Sequence, residues 1–271
     1  MIYLDNAATT KPCDEAKAAV MKGLEVFGNP SSLHRAGLDA ELLVSDAREI
    51  IADALGVTPD EVYFTSGATE SNNTAIFGAY KAHGKRKKRV VISSVEHPAV
   101  KNPAQELEDM GCEVIRISPD ENGEINARDI FAAVNEDTFL VSCMLVNNEN
   151  GYILPVEKAF SMIKKKYPQV LTHCDCVQGF MKIPVKAKKL NADMISLSGH
   201  KIYAPKGIGA LYVKKGLRLP PLTFGGGQER GMRPGTEAVP NIAAFAKACE
   251  IRMAHFDEDY AHVQELSLIH I

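Results

Sequence analysis

The sequence predicts an α/β protein with a mostly parallel, seven-stranded sheet between helices. Seven short apolar runs, rich in β-branched residues, alternate with stretches in which apolar residues recur at helical spacing. This alternation is typical of parallel strands joined by helical crossovers. With 271 residues, 45% of them hydrophobic, the chain is long enough to bury one large core.

Each strand is predicted from a run of apolar letters. The runs are VYFT at 62, RVVISS at 89, CEVIRI at 112, FLVSCML at 139, VLTHCD at 170, DMISLS at 193 and GALYV at 209. Two early helices are predicted from the spacing of two sets, Ala16, Val20, Leu24 and Phe27, and Leu43, Ala47, Ile50, Ile51 and Ala54. We expect both helices to pack one face on the sheet, and a further helix to run over 241–266.

Composition favours a small-molecule substrate over a nucleic acid or a membrane. The chain has 31 basic and 34 acidic residues, a net charge of -3, which provides no field for attracting polyanions. The basic run GKRKKR at 84–89 stands alone before a strand and is interpreted as a solvated connection. No apolar run reaches the roughly 18 residues of a membrane helix, and the N-terminus lacks signal-peptide features. We therefore expect a cytoplasmic protein.

The six cysteines are scattered along the chain and are expected to be reduced. His173, Cys174 and Cys176 are all competent metal ligands. On a strand, however, the two cysteines share one face and His173 the other, and no second cluster has the spacing of a zinc site. Buried apolar cysteines are the favoured interpretation, and no metal site is predicted.

Polar residues collect where the predicted strands end, which is where open α/β sheets bind ligands. After the first strand, Gly67 permits a tight turn, and the N–H groups of Ala68 and Thr69 open a helix that is suited to phosphate. Ser66 and Thr69 are equally explained as plain helix caps. His97 follows the second strand, where an imidazole can stack on a flat ring or be structural. The VNNENG stretch at 146–151 supplies Asn148, and turn chemistry alone also explains it.

The last strand ends carry a carboxylate and a lysine. Asp175 ends the fifth strand, with Gln178 three residues later, and a buried aspartate needs a partner such as a protonated ring nitrogen. Lys201 follows the sixth strand beside Ser198 and His200, which are potential phosphate donors. Pyridoxal phosphate uses all of these groups. The chain has neither a nucleotide phosphate loop nor a nucleophile elbow, and FGGGQERG does not open a helix after a strand.

Eight stretches, in order, resemble the cysteine desulfurases of the NifS/IscS type, within the class V, fold-type I aminotransferases. They are YLDNAATT, GNPSSLH, FTSGATESNN, EHPAV, VNNENG, HCDCVQ, SGHKIYAPKGIG and GGGQERGMRPGTE. The resemblance implies that Lys201 carries the cofactor and moves the substrate Cα proton, with His97 stacked on the ring as the second catalytic residue. It also implies that Asp175 pairs with the ring nitrogen and Gln178 with the ring hydroxyl. Four residues would hold the phosphate, namely Ala68, Thr69, Ser198 and His200; Asn148 would face the substrate and cofactor, and Thr236 the phosphate of the other subunit in a homodimer.

The implied reaction converts L-cysteine to L-alanine and leaves sulfur on an enzyme cysteine as a persulfide. That sulfur would pass to a scaffold or carrier protein for iron–sulfur cluster assembly or tRNA thiolation. The cysteines in HCDCVQ and Ala204 in IYAPKG depart mildly from the family pattern. The alternatives left open are a selenocysteine lyase, another class V carbon–sulfur lyase, or an inert cofactor-binding fragment.

The resemblance also predicts how the chain is divided. Residues 1–13 would pack on a small domain, 14–260 would form the cofactor-binding large domain, and 261–271 would begin a small domain that is largely missing. The helical pattern changes abruptly to SLIHI, so 266–271 are expected to be foreign sequence. Because the persulfide cysteine and the substrate-binding arginine of the family have no counterparts in this chain, we expect it to be inactive as given.

Overall fold

The structure, a computed structural model, describes residues 2–268. Its centre is one seven-stranded sheet: β1 Val62–Thr65, β2 Arg89–Ser93, β3 Glu113–Ile117, β4 Thr138–Ser142, β5 Leu171–Asp175, β6 Met194–Ser198 and β7 Gly209–Val213. The strand order is β1-β7-β6-β5-β4-β2-β3. All seven predicted strands are therefore confirmed, to within a few residues at their ends.

The direction of β7 distinguishes it from the other strands. Neighbours from β3 through β2, β4 and β5 to β6 are parallel, whereas β7 is antiparallel to both β6 and β1. Only residues 199–208 connect β6 to β7. A parallel return needs a crossover of about a dozen residues or more, so this short connection brings the chain back antiparallel. The lysine predicted to carry the cofactor lies in this connection.

Nine α-helices are described: two precede the first strand, five lie between strands and two follow the last strand. They are α1 Asp14–Glu25, α2 Arg35–Leu55, α3 Ala68–His83, α4 Pro98–Asp109, α5 Ala127–Ala132, α6 Val156–Lys166, α7 Ala187–Leu190, α8 Val239–Ala254 and α9 Phe256–Leu268. Local signals explain several ends. Gly56, at φ 69°, ends α2 in the left-handed conformation that glycine favours, and Pro98 begins α4 at a position that needs no N–H.

Two sequence predictions about helices are wrong. α1 packs mainly against α8 rather than the sheet, so Ala16 is buried while Leu24 and Phe27 are 59% and 88% exposed. The helix predicted over 241–266 is two helices, because the backbone departs from helical geometry at His255 (φ -108°, ψ 11°). Asp257, Glu258 and Asp259 then lie in the first turn of α9, where acidic residues complement the helix dipole.

The predicted division of the chain stays a prediction, although α9 runs across its proposed boundary at 260/261. The segment expected to be foreign, 266–271, lies outside the described residues except for the backbone of its first three positions, which end α9. Within the described range, no helix combines the length and apolar character that a bilayer crossing requires.

Candidate active site

A cavity of about 820 Å³ opens at the carboxyl ends of the strands, a size that suits a small molecule. Its walls are the loops after β1, β2, β4, β5 and β6, together with part of the N-terminal segment. Nine of the ten residues predicted to bind the cofactor line it: Ala68, Thr69, His97, Asn148, Asp175, Gln178, Ser198, His200 and Lys201. The fold thus gathers groups that are up to 133 positions apart in sequence (68 to 201).

The predicted phosphate cradle lies where β1 turns into α3. Gly67, at φ 150°, is the residue before the helix, and a Cβ added there would meet no atom within 4 Å. Ser66 and Thr69 do not cap the helix through their side chains; instead the Glu70 carboxylate accepts the Ser66 N–H at 2.7 Å. The first N–H groups of this 16-residue helix have no intrahelical acceptor and can bind an anion.

Asp175 forms the buried floor of the cavity and is 4% exposed. Its carboxylate accepts the Val177 N–H at 3.0 Å and the Asn72 side-chain N–H at 2.7 Å. Burial raises the pKa of Asp175, which these two hydrogen bonds partly oppose. Among the described residues, Asp175 has no basic side chain within salt-bridge distance. A buried carboxylate in this state is suited to a protonated ring nitrogen.

Lys201 lies in the short helical turn that follows β6. Its ammonium donates to the carbonyls of Ala7 and Ala8 at 2.5 and 2.7 Å, and burial lowers its pKa. A lowered pKa favours the neutral amine that attacks an aldehyde. The loop is itself held by the N-terminal segment, because Thr10 Oγ1 donates to the His200 carbonyl at 2.9 Å and accepts the Tyr203 N–H at 2.7 Å.

His97 lines the cavity on the side that follows β2, and the preceding residue, Glu96, is buried. The Nδ1 of His97 accepts the Ala99 N–H at 3.1 Å, which orients the ring at the start of α4. Glu96 is 1% exposed; its Oε1 accepts the Met144 N–H at 2.7 Å and is bonded to the Ser93 hydroxyl. Its Oε2 is buried without a partner in the described structure. Burial raises the pKa of Glu96 to about 8, so this carboxyl is mostly protonated at neutral pH.

Of the residues predicted to bind the cofactor, Asn148 lies in the cavity and Thr236 does not. Asn148 lines the cavity, and its neighbour Asn147 shapes the loop by accepting the Glu149 N–H at 2.9 Å. Thr236 lies outside the cavity, in a separate depression that it shares with Glu70 and Arg233. Its predicted role concerns the other subunit, so that role stays a prediction.

The potential metal ligands on and directly after β5 have other contacts. His173 is fully buried, with Nδ1 2.8 Å from the Ser142 hydroxyl and Nε2 2.9 Å from the Ser196 hydroxyl. Burial lowers the pKa of His173 to about 3, so the ring is neutral. The sulfur atoms of Cys174 and Cys176 are 3.4 Å apart, and both residues are buried. No group of metal ligands occurs within the described residues.

Sequence reasoning missed several residues of the site. Asn72, which holds Asp175, lies four positions after Ala68 and therefore on the same face of α3; this spacing was available as a signal. Lys206 lines the cavity as a second lysine. Ala7 contributes its carbonyl, for which a sequence has no signal. Lys182 lies behind Gln178 and contacts it.

The residues present fit pyridoxal phosphate. The buried Asp175 lacks a cation, and the Oδ1 of its neighbour Asn72 is buried and accepts no hydrogen bond from the described residues. The cradle at Gly67 is open, and Lys201 lines the same cavity. The charges and donors of this set match a phosphate, a protonated ring nitrogen and an aldehyde.

Comparisons with known proteins agree with this geometry. The family profile described as "Aminotransferase class-V" matches residues 2–270. A "NifS/IcsS protein homolog" of Lactobacillus delbrueckii subsp. bulgaricus is 45% identical over 98% of this chain and 71% of its own length. "Cysteine desulfurase IscS" of Dictyoglomus turgidum is 42% identical over 98% of this chain and 67% of its own length.

A solved structure titled "NIFS-LIKE PROTEIN" superposes with a TM-score of 0.95 at 41% identity. The match covers 98% of this chain and 73% of that one. Similarity in sequence and in structure thus extends over almost the whole chain, and the relatives are longer. The chain belongs to the class V aminotransferase family and, within it, to the pyridoxal-phosphate-dependent cysteine desulfurases of the NifS/IscS type.

Proposed function

We propose that this chain binds pyridoxal phosphate through Lys201 and Asp175 and binds L-cysteine in the same cavity. One observation carries the proposal: a lysine with a lowered pKa and a buried carboxylate without a cation line one cavity at the end of the parallel sheet. The relatives named cysteine desulfurase favour L-cysteine as substrate over its selenium analogue.

Each residue has a role in this proposal. Bound pyridoxal phosphate supplies an electron sink for charge that develops at the substrate Cα. Lys201 would hold the cofactor covalently and would carry the proton of the substrate Cα. Asp175 keeps the ring nitrogen protonated, and His97 covers the ring. The N–H groups of Ala68 and Thr69 bind the phosphate together with two further residues, Ser198 and His200.

The sulfur needs a thiol to receive it. In the balanced reaction, L-cysteine and an enzyme thiol give L-alanine and an enzyme persulfide. Among the described residues no cysteine lines the cavity, and burial raises the pKa of Cys143 and Cys174 well above that of an ordinary thiol. Protonated thiols are poor nucleophiles. We therefore expect this chain, with pyridoxal phosphate and L-cysteine, to release no sulfide above the cofactor alone.

The proposal extends to the protein's partners and location. Exposed apolar side chains at the end of α1 and around the start of α2 support a homodimer; they are Leu24, Phe27, Leu33, Leu38 and Leu42. A scaffold or carrier protein would accept the sulfur. All six cysteines are free thiols, which supports a reducing compartment such as the cytoplasm.

Borohydride reduction tests the cofactor assignment. Purified chain is incubated with pyridoxal phosphate, reduced and digested, and the labelled peptide is identified by mass spectrometry. We expect the label on Lys201 and its loss in Lys201→Ala, whereas Lys206→Ala, the matched control in the same cavity, keeps it. Labelling of Lys206, or no binding at all, would refute the proposal.

A further inference from the structure

Lys182 is a half-buried lysine that the proposed chemistry does not use. It follows the turn after β5 and does not line the cavity. Burial, together with the nearby cations Lys201 and Arg252, lowers its pKa to about 8. Within the described residues, no carboxylate lies within salt-bridge distance of it. A lysine in such surroundings destabilises the fold, so its presence calls for a specific contact.

That contact is the side-chain amide of Gln178. The ammonium of Lys182 donates to Gln178 Oε1 at 2.8 Å, and Gln178 is 8% exposed. It is the one side-chain hydrogen bond of Lys182 in the described part of the chain. On the other side, Gln178 Nε2 donates to the Ala7 carbonyl at 2.8 Å.

These two contacts determine which way the amide faces. An ammonium can only donate hydrogen bonds, so the Gln178 oxygen must face Lys182. A backbone carbonyl can only accept, so the nitrogen must face Ala7. The two requirements agree and turn the N–H₂ group towards the cavity that also holds Lys201. Without Lys182, the Ala7 carbonyl alone selects this orientation, so the flipped amide loses one hydrogen bond instead of two and becomes more populated.

The backbone between the two residues supports a constrained geometry. The N–H groups of Gly179 and Phe180 both donate to the Cys176 carbonyl, which winds the chain into a tight turn. Met181 then adopts φ 58°, a left-handed backbone conformation that is unfavourable for residues other than glycine. Its side chain is buried, so the surrounding packing holds the residue in this conformation. Such strain persists where the surrounding structure enforces it, and it is frequent at functional sites. Here it places Lys182 back against Gln178.

We propose that Lys182 is a positioning residue that locks the Gln178 amide with its N–H₂ group towards the ring oxygen of the bound cofactor. The inference rests on the proposed cofactor site, and Lys182 acts only through Gln178. It predicts that Lys182 matters for a cofactor with a ring hydroxyl and not for one without it.

The test compares two cofactors in a double-mutant cycle. Dissociation constants are measured by absorbance for pyridoxal phosphate and for 3-deoxypyridoxal phosphate, which lacks the ring hydroxyl. The proteins are the parent chain, Lys182→Met, Gln178→Ala and the double variant. We expect Lys182→Met to weaken pyridoxal phosphate about tenfold, the size of one oriented hydrogen bond, and the deoxy analogue less than about twofold. In the Gln178→Ala background, Lys182→Met should have no further effect.

Lys206→Met is the control for charge, because it removes another cation near the same cavity and should weaken both cofactors alike. The melting temperature of cofactor-free Lys182→Met should equal or exceed that of the parent, which a merely structural lysine would not predict. If that variant does not fold, Lys182→Leu takes its place in every comparison. Equal weakening of both cofactors, or additive effects of the two substitutions, would overturn the inference alone. Failure of the parent chain to bind pyridoxal phosphate would overturn the proposed function as well.

Discussion

Replacing Glu96 with glutamine is expected to change how folding stability depends on pH. Glu96 is buried, and burial raises its pKa from 4.5 to about 8. Between these two values the folded chain holds a proton that the unfolded chain has released. Because the folded state then binds more protons, the free energy of unfolding falls as pH rises from about 4.5 to 8. Glutamine keeps an acceptor for the Met144 N–H but does not titrate.

The size of the effect follows from the two pKa values. One pKa unit corresponds to about 1.4 kcal/mol. Over an interval from about pH 5.5 to about pH 8.5, the folded state keeps most of its extra proton until the pH passes 8. Integrating over that interval gives a loss of about 3 kcal/mol for the parent chain and none from this site in Glu96→Gln.

Urea unfolding of the cofactor-free proteins, followed by circular dichroism, measures this difference. The free energy of unfolding of Glu96→Gln, relative to that of the parent, should rise by about 3 kcal/mol from about pH 5.5 to about pH 8.5. Glu121→Gln, at an exposed position, is the control for loss of a carboxylate and should track the parent at both pH values. If the difference in free energy of unfolding between the parent and Glu96→Gln is the same at both pH values, the assignment of a protonated, buried Glu96 is refuted.

Substitutions at three further residues have defined outcomes. Asp175→Asn keeps the shape of the cavity floor but removes its charge, so absorbance titration should show about tenfold weaker pyridoxal phosphate binding; unchanged affinity would contradict the ring-nitrogen contact. Burial lowers the pKa of His173 to about 3, so the parent loses roughly 2 kcal/mol of stability between about pH 7 and about pH 5. His173→Gln should lack this loss in urea unfolding at the two pH values, and an equal loss in both proteins would argue against a neutral ring. Glu229→Ala leaves the partly buried Arg48 guanidinium without a carboxylate partner and should cost about 3–5 kcal/mol by urea unfolding, whereas Glu229→Gln, which can still accept the Phe64 N–H, should cost less.

The sheet could be predicted because its strands are short, are rich in β-branched residues and are separated by helical patterns. These features depend only on the residues within each short stretch of sequence. The environment of a helix face could not be predicted. Helical spacing places Ala16 and Leu24 in one helix, but it wrongly includes Phe27, which follows the end of α1, and it does not reveal that α8 covers only part of the helix face. The break at His255 was missed for a related reason, since apolar spacing continues across a change in backbone direction.

The candidate site was predictable where chemistry lies in side chains at strand ends. Asp175, Gln178 and Lys201 each follow a strand, and parallel strands bring their carboxyl ends to one edge of the sheet. The protonation of Glu96 could not be predicted, because it depends on burial and on the absence of a second partner in the described structure. The contribution of the Ala7 carbonyl was also invisible, since every residue has one.

The contact between Thr10 and the loop that contains Lys201, residues 199–208, constrains when the site can form during synthesis. Thr10 bonds to the carbonyl of His200, 190 positions later in the chain. A ribosome makes the N-terminal segment first, yet its partners emerge only after six of the seven strands have been translated. The Ala7 and Ala8 carbonyls therefore have no lysine to accept from until late in translation. Loop closure over so long a separation is slow, so the ability to capture cofactor belongs to the last stage of folding rather than to the nascent sheet.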